Sequence, residues 1–467
     1  MSLIKSISGI RGTIGGTMGD NLTPLDAVKF ASAYGTWLLK RNTSLPSDSP
    51  IKVVLGRDAR ISGKMISSLV ANTLVGLGID VLDLGLSTTP TVEIAVPMES
   101  AHGGIIITAS HNPKQWNALK LLNERGEFLN AADGQEILTL VENGDFDFAA
   151  VDDLGAYSKD VSYIEKHVAA VLQLDLVDVA AIKKAKFKVV LDAVNSTGGI
   201  FIPALLDALG VTCVKLYCEP NGQFPHNPEP LKEHLGEISK QVVLEKAHLG
   251  IVVDPDVDRL ALVCEDGAMF GEEYTLVACA DYVLGALNGG NTVSNLSSSR
   301  ALRDVTEKHG GSYTASAVGE VNVVVAMKET QAVIGGEGNG GIIYPESHYG
   351  RDSLVGVALF LSHLAKSGMS CKELRASYPS YFMSKNKIEL TPALDVDAIL
   401  REIADHYKKE QVSTIDGVKI DFPSEWVHLR KSNTEPIIRI YTESTSQEKA
   451  DDLAHTLLTK IKEIAGR

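Results

Sequence analysis

Ile51 to Leu84 reads IKVVLGRDARISGKMISSLVANTLVGLGIDVLDL. It opens on a short β-branched run, IKVVL. A helical pattern follows from Ser62 to Leu77, then a second apolar strand from Ile79 to Leu84. Gly104 to Ile107 is a further strand, ending in a polar loop. Strands alternating with helices predict βαβ units and a mainly parallel sheet. The pattern then recurs. Lys52-Val-Val-Leu55 is echoed by Lys188-Val-Val-Leu191, and each copy continues through a helix ending in Leu-Gly, at Leu77-Gly78 and Leu209-Gly210. A fainter third copy starts at Thr292-Val-Ser-Asn-Leu296 and runs through a helix from Arg300 to His309 into a Gly-Gly break. Repetition at this long period is duplication of domains, not a solenoid.

From about Lys385 the pattern changes. Strands at Lys387 to Leu390, Gly417 to Phe422 and Trp426 to Arg430 are interleaved with helical runs at Asp395 to Lys408 and Ser446 to Ala465. The predicted architecture is three related mixed α/β domains plus a smaller C-terminal α+β domain. The expected boundaries are residues 1–155, 156–257, 258–383 and 384–467. No long Gly/Ser or charged linker separates them, so they are expected to pack around a central cleft, a favoured place for ligands.

The whole chain of 467 residues narrows the function classes. Its formal net charge is −15, which disfavours general nucleic-acid binding but not a small anionic ligand held by local Arg and Lys. The cysteines, Cys213, Cys218, Cys264, Cys279 and Cys371, are scattered without zinc-ligand spacing and are expected to be reduced in a cytoplasmic protein. Residues Met1 to Gly16 lack the apolar core of a signal peptide. The longest apolar stretch, Leu354 to Ala365, is too short to span a bilayer and is predicted to be a buried helix. No membrane partner is expected.

Four loops carry chemistry. Thr108-Ala-Ser110-His111-Asn-Pro113 follows the strand GGIII, so Ser110 sits at a strand end, where α/β sheets bind ligands. Ser110 and His111 are expected to point apart on an extended loop and not to form a dyad; taken alone, the loop also suits a turn or helix cap. In the second loop, Asp254-Pro-Asp256-Val-Asp258-Arg259 follows the apolar strand GIVV. Carboxylates at i, i+2 and i+4 on extended backbone fall on one side. Three such charges repel unless a cation sits among them, and hard oxygen ligands favour Mg²⁺. The flanks are strands and Arg259 stands where an EF-hand needs Gly, which argues against that motif.

The third loop, Gly335-Gly-Glu337-Gly-Asn339-Gly-Gly341, lacks the spacing of a dinucleotide fingerprint and is followed by strand. Its glycines can turn the backbone and aim Glu337 and Asn339 at vicinal hydroxyls; a flexible hairpin tip fits equally well. The fourth, Arg430-Lys-Ser432-Asn433-Thr434-Glu-Pro436, with Arg439 beyond, offers a guanidinium, hydroxyls and an amide suited to a phosphate dianion, or to a capped turn. There is no GxxxxGK[ST] loop for a nucleotide-driven kinase and no GxSxG elbow.

In this order and spacing the four loops resemble the α-D-phosphohexomutases, which include phosphoglucomutase, phosphomannomutase and phosphoglucosamine mutase. The resemblance runs from Gly9-Ile-Arg11-Gly12 through Gly56-Arg-Asp58 to Arg439. It implies a four-domain, heart-shaped enzyme whose domains each contribute one loop to a central cleft. Ser110 matches the family's phosphoserine, which completes an Mg²⁺ site with Asp254, Asp256 and Asp258. Arg11, Lys120 and Arg259 match basic residues around the reacting phosphate. Glu337 and Asn339 occupy the sugar loop, and Arg430, Ser432, Asn433 and Thr434 match the distal phosphate cradle. Many members carry E-x-S-G-H in the sugar loop; here Asn339 replaces the serine and Gly341 the histidine. No histidine there can serve as general acid or base, and this form looks most like phosphoglucosamine mutases of the archaeal type.

The implied reaction interconverts a hexose 1-phosphate and a hexose 6-phosphate through a phosphoserine enzyme and a hexose 1,6-bisphosphate, with glucosamine phosphate ahead of glucose or mannose phosphate. Lys120 is the candidate for proton transfer, which would require its pKa to fall. The expected partner is the hexose phosphate alone, on a monomer or a homodimer. A phosphosugar phosphatase would share these parts, with water intercepting the phosphoenzyme. A sugar-phosphate sensor could dispense with Ser110 and the three aspartates.

Overall fold

The computed structural model of the chain describes residues 2–6, 9–43, 50–389, 395–431 and 437–465. It divides into two compact units. One holds Met1–Thr275 with Gly340–Leu374, and the other Leu276–Asn339 with Arg375–Arg467.

The first sheet contains β1 (Ile4–Ser6), β2 (Gly9–Thr13), β3 (Lys52–Arg57), β4 (Asp80–Leu86), β5 (Gly103–Ile107), β6 (Trp116–Leu122) and β7 (Tyr157–Lys159), in the order β1-β2-β6-β5-β3-β4-β7. The strands β3, β4 and β5 are mutually parallel, and β6 returns antiparallel to β5. Successive residues of β5 face opposite cores. Ile105 and Ile107 pack with the helices Pro24–Arg41, Gly63–Gly76 and Ala131–Asn143, whereas Ile106 packs with the helix Thr89–Met98. Both faces are covered, which explains the near-continuous apolar strands.

The second sheet repeats the frame with β8 (Lys188–Asp192), β9 (Thr212–Leu216), β10 (Leu249–Val253) and β11 (Leu260–Cys264), in the order β11-β10-β8-β9. Again three strands are parallel and the fourth is antiparallel. In the second unit β12 (Asn291–Asn295) lies between β13 (Tyr313–Ser316) and β14 (Ala332–Glu337), both parallel to it. In all three copies the helix after the first strand stops at a glycine of positive φ: Gly78 at 80°, Gly210 at 69° and Gly310 at 73°. That conformation is least strained without a Cβ. The three copies expected from the sequence are therefore present, the faint third one included.

The domains are mixed α/β, as the sequence predicts: the loops after β5 and β10 turn straight back without a helix, so antiparallel strands join the parallel core of the first two sheets. One boundary is corrected. The second sheet extends past residue 257. Its edge strand Leu260–Cys264 lies on the far side of the Asp254–Asp258 loop, so a boundary at 257/258 would cut a hairpin.

After β15 (Gly341–Ile343) comes the helix Ser353–Ser367, which is buried from Ser353 through Ser362, as its sequence predicts. The last sheet is antiparallel throughout: β16 (Phe382–Glu389), β17 (Gln411–Ser413), β18 (Val418–Asp421), β19 (Trp426–Lys431) and β20 (Ile437–Ser444), ordered β16-β20-β19-β18-β17. Val418, Ile420, Val427, Leu429, Ile438 and Ile440 on one face pack under the helices Val396–His406 and Gln447–Ala465. Among the described residues no helix is long and apolar enough to cross a membrane.

Ile106 is 1% exposed. Ile106→Ala should cost about 2–5 kcal/mol. A differential scan of the whole chain should show one transition moved down, with the protein still folded at 25 °C.

Candidate active site

The first unit gathers a buried carboxylate triad. Asp254, Asp256 and Asp258 are each fully buried, and one ligand atom from each lies within 4.8 Å of the others. The sequence placed them on one side of extended backbone, but the structure uses a turn. Val257 takes a φ of 64°, and Asp254 Oδ1 accepts from the amides of Asp258 at 3.1 Å and Arg259 at 3.2 Å. The hydroxyls of Ser196 and Thr197 fasten the turn by donating to the Pro255 carbonyl at 2.7 and 3.0 Å.

Each carboxylate is oriented by a partner. Asp256 Oδ2 accepts from Lys120 Nζ at 2.7 Å and from the Thr89 hydroxyl at 2.5 Å. Asp258 Oδ2 accepts from Arg351 Nη2 at 2.7 Å, with Lys120 Nζ at 3.4 Å. Asp254 Oδ2 accepts from the Ser110 hydroxyl at 2.8 Å. Asp256 Oδ1 and Asp258 Oδ1 are buried, with no hydrogen-bond partner among the described residues. Two orphaned anionic oxygens beside a third carboxylate are a costly arrangement, and they form the hard-oxygen donor set that a divalent cation would satisfy.

Electrostatics follow. Burial first, then repulsion from Asp256 and Asp258, pushes Asp254 well above the usual carboxylate range. Burial acts the same way on Asp256, but the Lys120 charge and hydrogen bond outweigh it and hold that group low. For Lys120, burial favours the neutral amine, yet Asp256 and Asp258 overcome it and the pKa is raised. The proton-transfer role expected of Lys120 needed the opposite shift.

Ser110 is held with equal care. Its φ is 48°, a conformation that L-residues rarely adopt. Its amide donates to Thr108 Oγ1 at 2.9 Å, and that hydroxyl donates to Asp58 Oδ2 at 2.7 Å. Arg60, fully buried, donates to four carbonyl oxygens of the loop, those of Ser110, Asn112, Pro113 and Trp116, at 2.5–2.9 Å. Its Nε pairs with Asp58 Oδ2 at 3.0 Å. Ser110 and His111 do not point apart as an extended loop would require. The left-handed turn brings Ser110 Oγ to 3.4 Å from His111 Nδ1. That separation is long for a working dyad. Burial, and then the charges of Arg259, Arg351 and Arg11, push His111 well below the ordinary imidazole range, leaving a weak base.

The basic residues expected from sequence converge here. Arg11 lies on β2 opposite Ala118 of β6, and Lys120 lies on β6 opposite Gly9. Arg259 is 8% exposed; its Nη1 is 3.4 Å from Glu229, and its buried Nε has no hydrogen-bond partner among the described residues. Arg60, Thr89 and Arg351 were missed. Arg60 is adjacent to the quoted Gly56-Arg-Asp58, so a second arginine there was a usable signal. Thr89 and Arg351 are single residues far from any motif. Arg351 directly precedes Asp352, which caps the helix Ser353–Ser367 by accepting from the amides of Leu354 and Val355.

The other two loops belong to the second unit. Glu337 ends β14 and is 4% exposed. Its Oε1 accepts from Asn295 Nδ2 at 2.7 Å and from the Gly319 amide at 3.2 Å, and Asn339 Nδ2 reaches Oε2 at 3.3 Å. Arg430, the last residue but one of β19, lies opposite Arg439 on β20, which in turn lies opposite Lys387 on β16, a row of three cations. Ser432, Asn433 and Thr434 lie outside the described residues. In each of the three related copies the chemical loop follows the third strand of the frame: Ser110 after β5, the aspartates after β10, and Gly338 and Asn339 after β14.

Comparison with known proteins agrees with this layout. Four family models match in order, described as phosphoglucomutase/phosphomannomutase alpha/beta/alpha domains I, II and III and the C-terminal domain, over residues 3–148, 162–267, 271–381 and 389–460. A phosphoglucomutase/phosphomannomutase of Thermococcus kodakarensis is 36% identical over 444 residues, 94% of this chain and 95% of that protein. A phosphoglucosamine/phosphogalactosamine mutase of Sulfurisphaera tokodaii is 32% identical over 473 residues, 99% of each. The crystal structure of a phosphoglucomutase/phosphomannomutase family protein from Burkholderia thailandensis superposes with a TM-score of 0.84 at 25% identity, covering 98% of this chain and 97% of that one. The chain belongs to the phosphoglucomutase/phosphomannomutase family, within the α-D-phosphohexomutase superfamily. It is a phosphohexomutase, an isomerase that transfers a phosphoryl group within a hexose phosphate.

The Arg60–Asp58 pair makes a stability prediction. Arg60→Met strands the buried Asp58 carboxylate, whose pKa burial already raises against the pull of Arg60. The cost should be about 3–5 kcal/mol. The double variant Asp58→Asn, Arg60→Met should recover part of it in thermal unfolding, while mutase activity stays low in both.

Proposed function

We propose that Ser110 carries the transferring phosphoryl group and that Asp254, Asp256 and Asp258 hold Mg²⁺ beside it. The observation that carries this reading is the Ser110 hydroxyl 2.8 Å from Asp254 Oδ2, within a triad that has two orphaned buried oxygens. Bound there, Mg²⁺ would neutralise charge on the phosphoryl group during transfer. Lys120 and Arg351 hold Asp256 and Asp258 by one oxygen each, leaving the other toward the metal. Arg11 and Arg259 supply fixed positive charge near the phosphoryl oxygens, which is the main requirement of phosphoryl transfer.

The reaction runs in two transfers. The Ser110 Oγ–P bond breaks as the 6-hydroxyl oxygen of a hexose 1-phosphate takes the phosphoryl group; the proton of that hydroxyl passes to the departing Ser110 Oγ, giving a 1,6-bisphosphate and a free serine hydroxyl. After the sugar turns end for end, the bond between O1 and phosphorus breaks as phosphorus returns to Ser110 Oγ. The proton that Ser110 Oγ gives up passes to O1, and the 6-phosphate leaves. Glu337 and Asn339 bind sugar hydroxyls in both orientations. Arg430, Ser432, Asn433, Thr434 and Arg439 hold whichever phosphate is not reacting. We take glucosamine phosphate as the preferred substrate, on the Gly-Glu-Gly-Asn-Gly-Gly sugar loop and the similarity to the Sulfurisphaera tokodaii mutase. The described cysteines form no disulfide, which supports a reducing, cytoplasmic setting.

Phosphopeptide mapping of the native enzyme should find the phosphate on Ser110, and Ser110→Ala should abolish turnover without unfolding. Excess chelator should stop the reaction and Mg²⁺ restore it. Asp256→Asn should weaken Mg²⁺ binding by at least the ~10-fold typical of perturbing a metal site's outer partners. Phosphate found only at another residue, or full activity in chelator, would sink the mechanism.

A rate panel with glucosamine, glucose and mannose phosphates should rank glucosamine first. An inert glucosamine phosphate beside fast turnover of glucose phosphate would reverse the substrate assignment and leave the mutase chemistry standing. Inorganic phosphate released in proportion to turnover would instead mark a phosphatase.

A further inference from the structure

Arg430 is the cation of the clamp, and one residue holds it. Its Nε lies 3.0 Å from Asp416 Oδ1 and 2.8 Å from Oδ2. The two side chains are 28% and 21% exposed, so the ion pair alone contributes little stability. Its geometry is more informative. The contact is made through Nε, and among the described residues the terminal guanidinium nitrogens take no hydrogen bond. Those two nitrogens are the fork that matches two oxygens of a phosphate.

Asp416 is itself fixed from three sides. It sits in the turn between β17 and β18, where Gly417 adopts a φ of +72° and a Cβ would lie 2.1 Å from the Leu429 carbonyl oxygen of β19. One carboxylate oxygen, Oδ2, accepts from the Val318 amide at 3.0 Å. The Asp416 backbone carbonyl accepts from His428 Nε2 at 2.7 Å, and His428 Nδ1 lies 2.8 Å from the Ser297 hydroxyl. Burial pushes His428 down to about 4. The ring is therefore neutral near pH 7, its proton lies on Nε2 toward the carbonyl, and Nδ1 accepts from Ser297.

The next amide after Val318, that of Gly319, donates to Glu337 Oε1 at 3.2 Å. Two successive amides of one turn thus hold the residue that aims the clamp and the carboxylate of the sugar loop. Asp416 also carries a charge that opposes a bound phosphate. It offsets one cation of the Arg430, Arg439 and Lys387 row, in which Lys387 also lies 3.8 Å from the exposed Glu389 carboxylate. What Asp416 adds is the orientation of the Arg430 guanidinium.

We propose that Asp416 is the positioning residue of the phosphate clamp: it holds Arg430 by Nε, turns the terminal guanidinium nitrogens toward the non-reacting phosphate, and keeps the clamp in register with Glu337 through the Val318-Gly319 turn. The inference rests on the reading of Arg430 as that clamp.

The test uses the full chain with Asp416→Ala, Asp416→Asn, Arg430→Ala and the double variant Asp416→Ala, Arg430→Ala. Steady-state kinetics are run in both directions with glucosamine 1-phosphate and glucosamine 6-phosphate, or with the glucose pair if the panel selects it. Asp416→Ala should raise KM for both phosphates by roughly 10-fold, the loss expected for a misaimed charge-assisted contact, with a smaller fall in kcat. Asp416→Asn keeps the side-chain volume and an acceptor and should be milder; it also serves if the alanine variant folds poorly. Mg²⁺ affinity and Ser110 phosphorylation should match wild type. The double variant should be no worse than Arg430→Ala, because Asp416 acts through that side chain. Unchanged KM in Asp416→Ala and Asp416→Asn beside a raised KM in Arg430→Ala would overturn the positioning role and leave the clamp standing, as would defects that multiply in the double variant. An unchanged KM in Arg430→Ala would remove the clamp reading and this inference with it.

Discussion

Three carboxylates buried within 4.8 Å of one another are the constraint around which the first unit is built. At an effective dielectric near 20, each like-charge pair at such a distance costs about 3–4 kcal/mol. The repulsion is met from several directions. Lys120 comes from β6, Arg351 from the segment before the helix Ser353–Ser367, and the Ser110 hydroxyl from the end of β5. A site poised to take up a cation must be anionic enough to attract it and still be stable enough to fold. Buried cations on one oxygen of each outer aspartate, and open oxygens on the other side, reconcile the two demands.

Rigidity of the serine loop comes from a different source. Four peptide carbonyls turn toward the single guanidinium of Arg60, which pairs at its other edge with Asp58. Backbone carbonyls that converge on one point need a polyvalent donor, and arginine alone among side chains offers five N–H groups in a plane. The strained φ of Ser110 persists because its surroundings over-determine it. A side chain held in this way has little ordering entropy left to lose.

Much of this was legible in the sequence, and the reason is local. The repeated strand–helix–strand frame is written in contiguous apolar runs, and the aspartates, Ser110, Glu337 and Arg430 stand in short loops directly after such runs. Residues that act from a distance were not legible. Thr89 begins a helix whose pattern reveals only its buried face. Arg351 precedes a helix cap, and Asp416 lies in a hairpin turn where an Asp-Gly pair has an ordinary structural explanation. The extended-backbone reading of Asp254, Asp256 and Asp258 reached the right cluster by the wrong geometry. Spacing of two suits a strand, but it also suits a turn closed by Asp254 itself, and only the hydrogen bonds distinguish them. The raised pKa of Lys120 was likewise out of reach, because it depends on carboxylates 136 and 138 positions away.

The chemical loops follow the third strand of each copied frame, and this bears on how such an enzyme diversifies. A strand end in this frame is supported from below by β-branched residues that face two cores and take no part in chemistry. The loop above it can therefore drift while its foundation stays fixed. The repeated frame supplies several equivalent mounting points, and each can change separately. A substitution in the few residues after β14 alters one loop and leaves the strand ends that carry Ser110 and the three aspartates undisturbed.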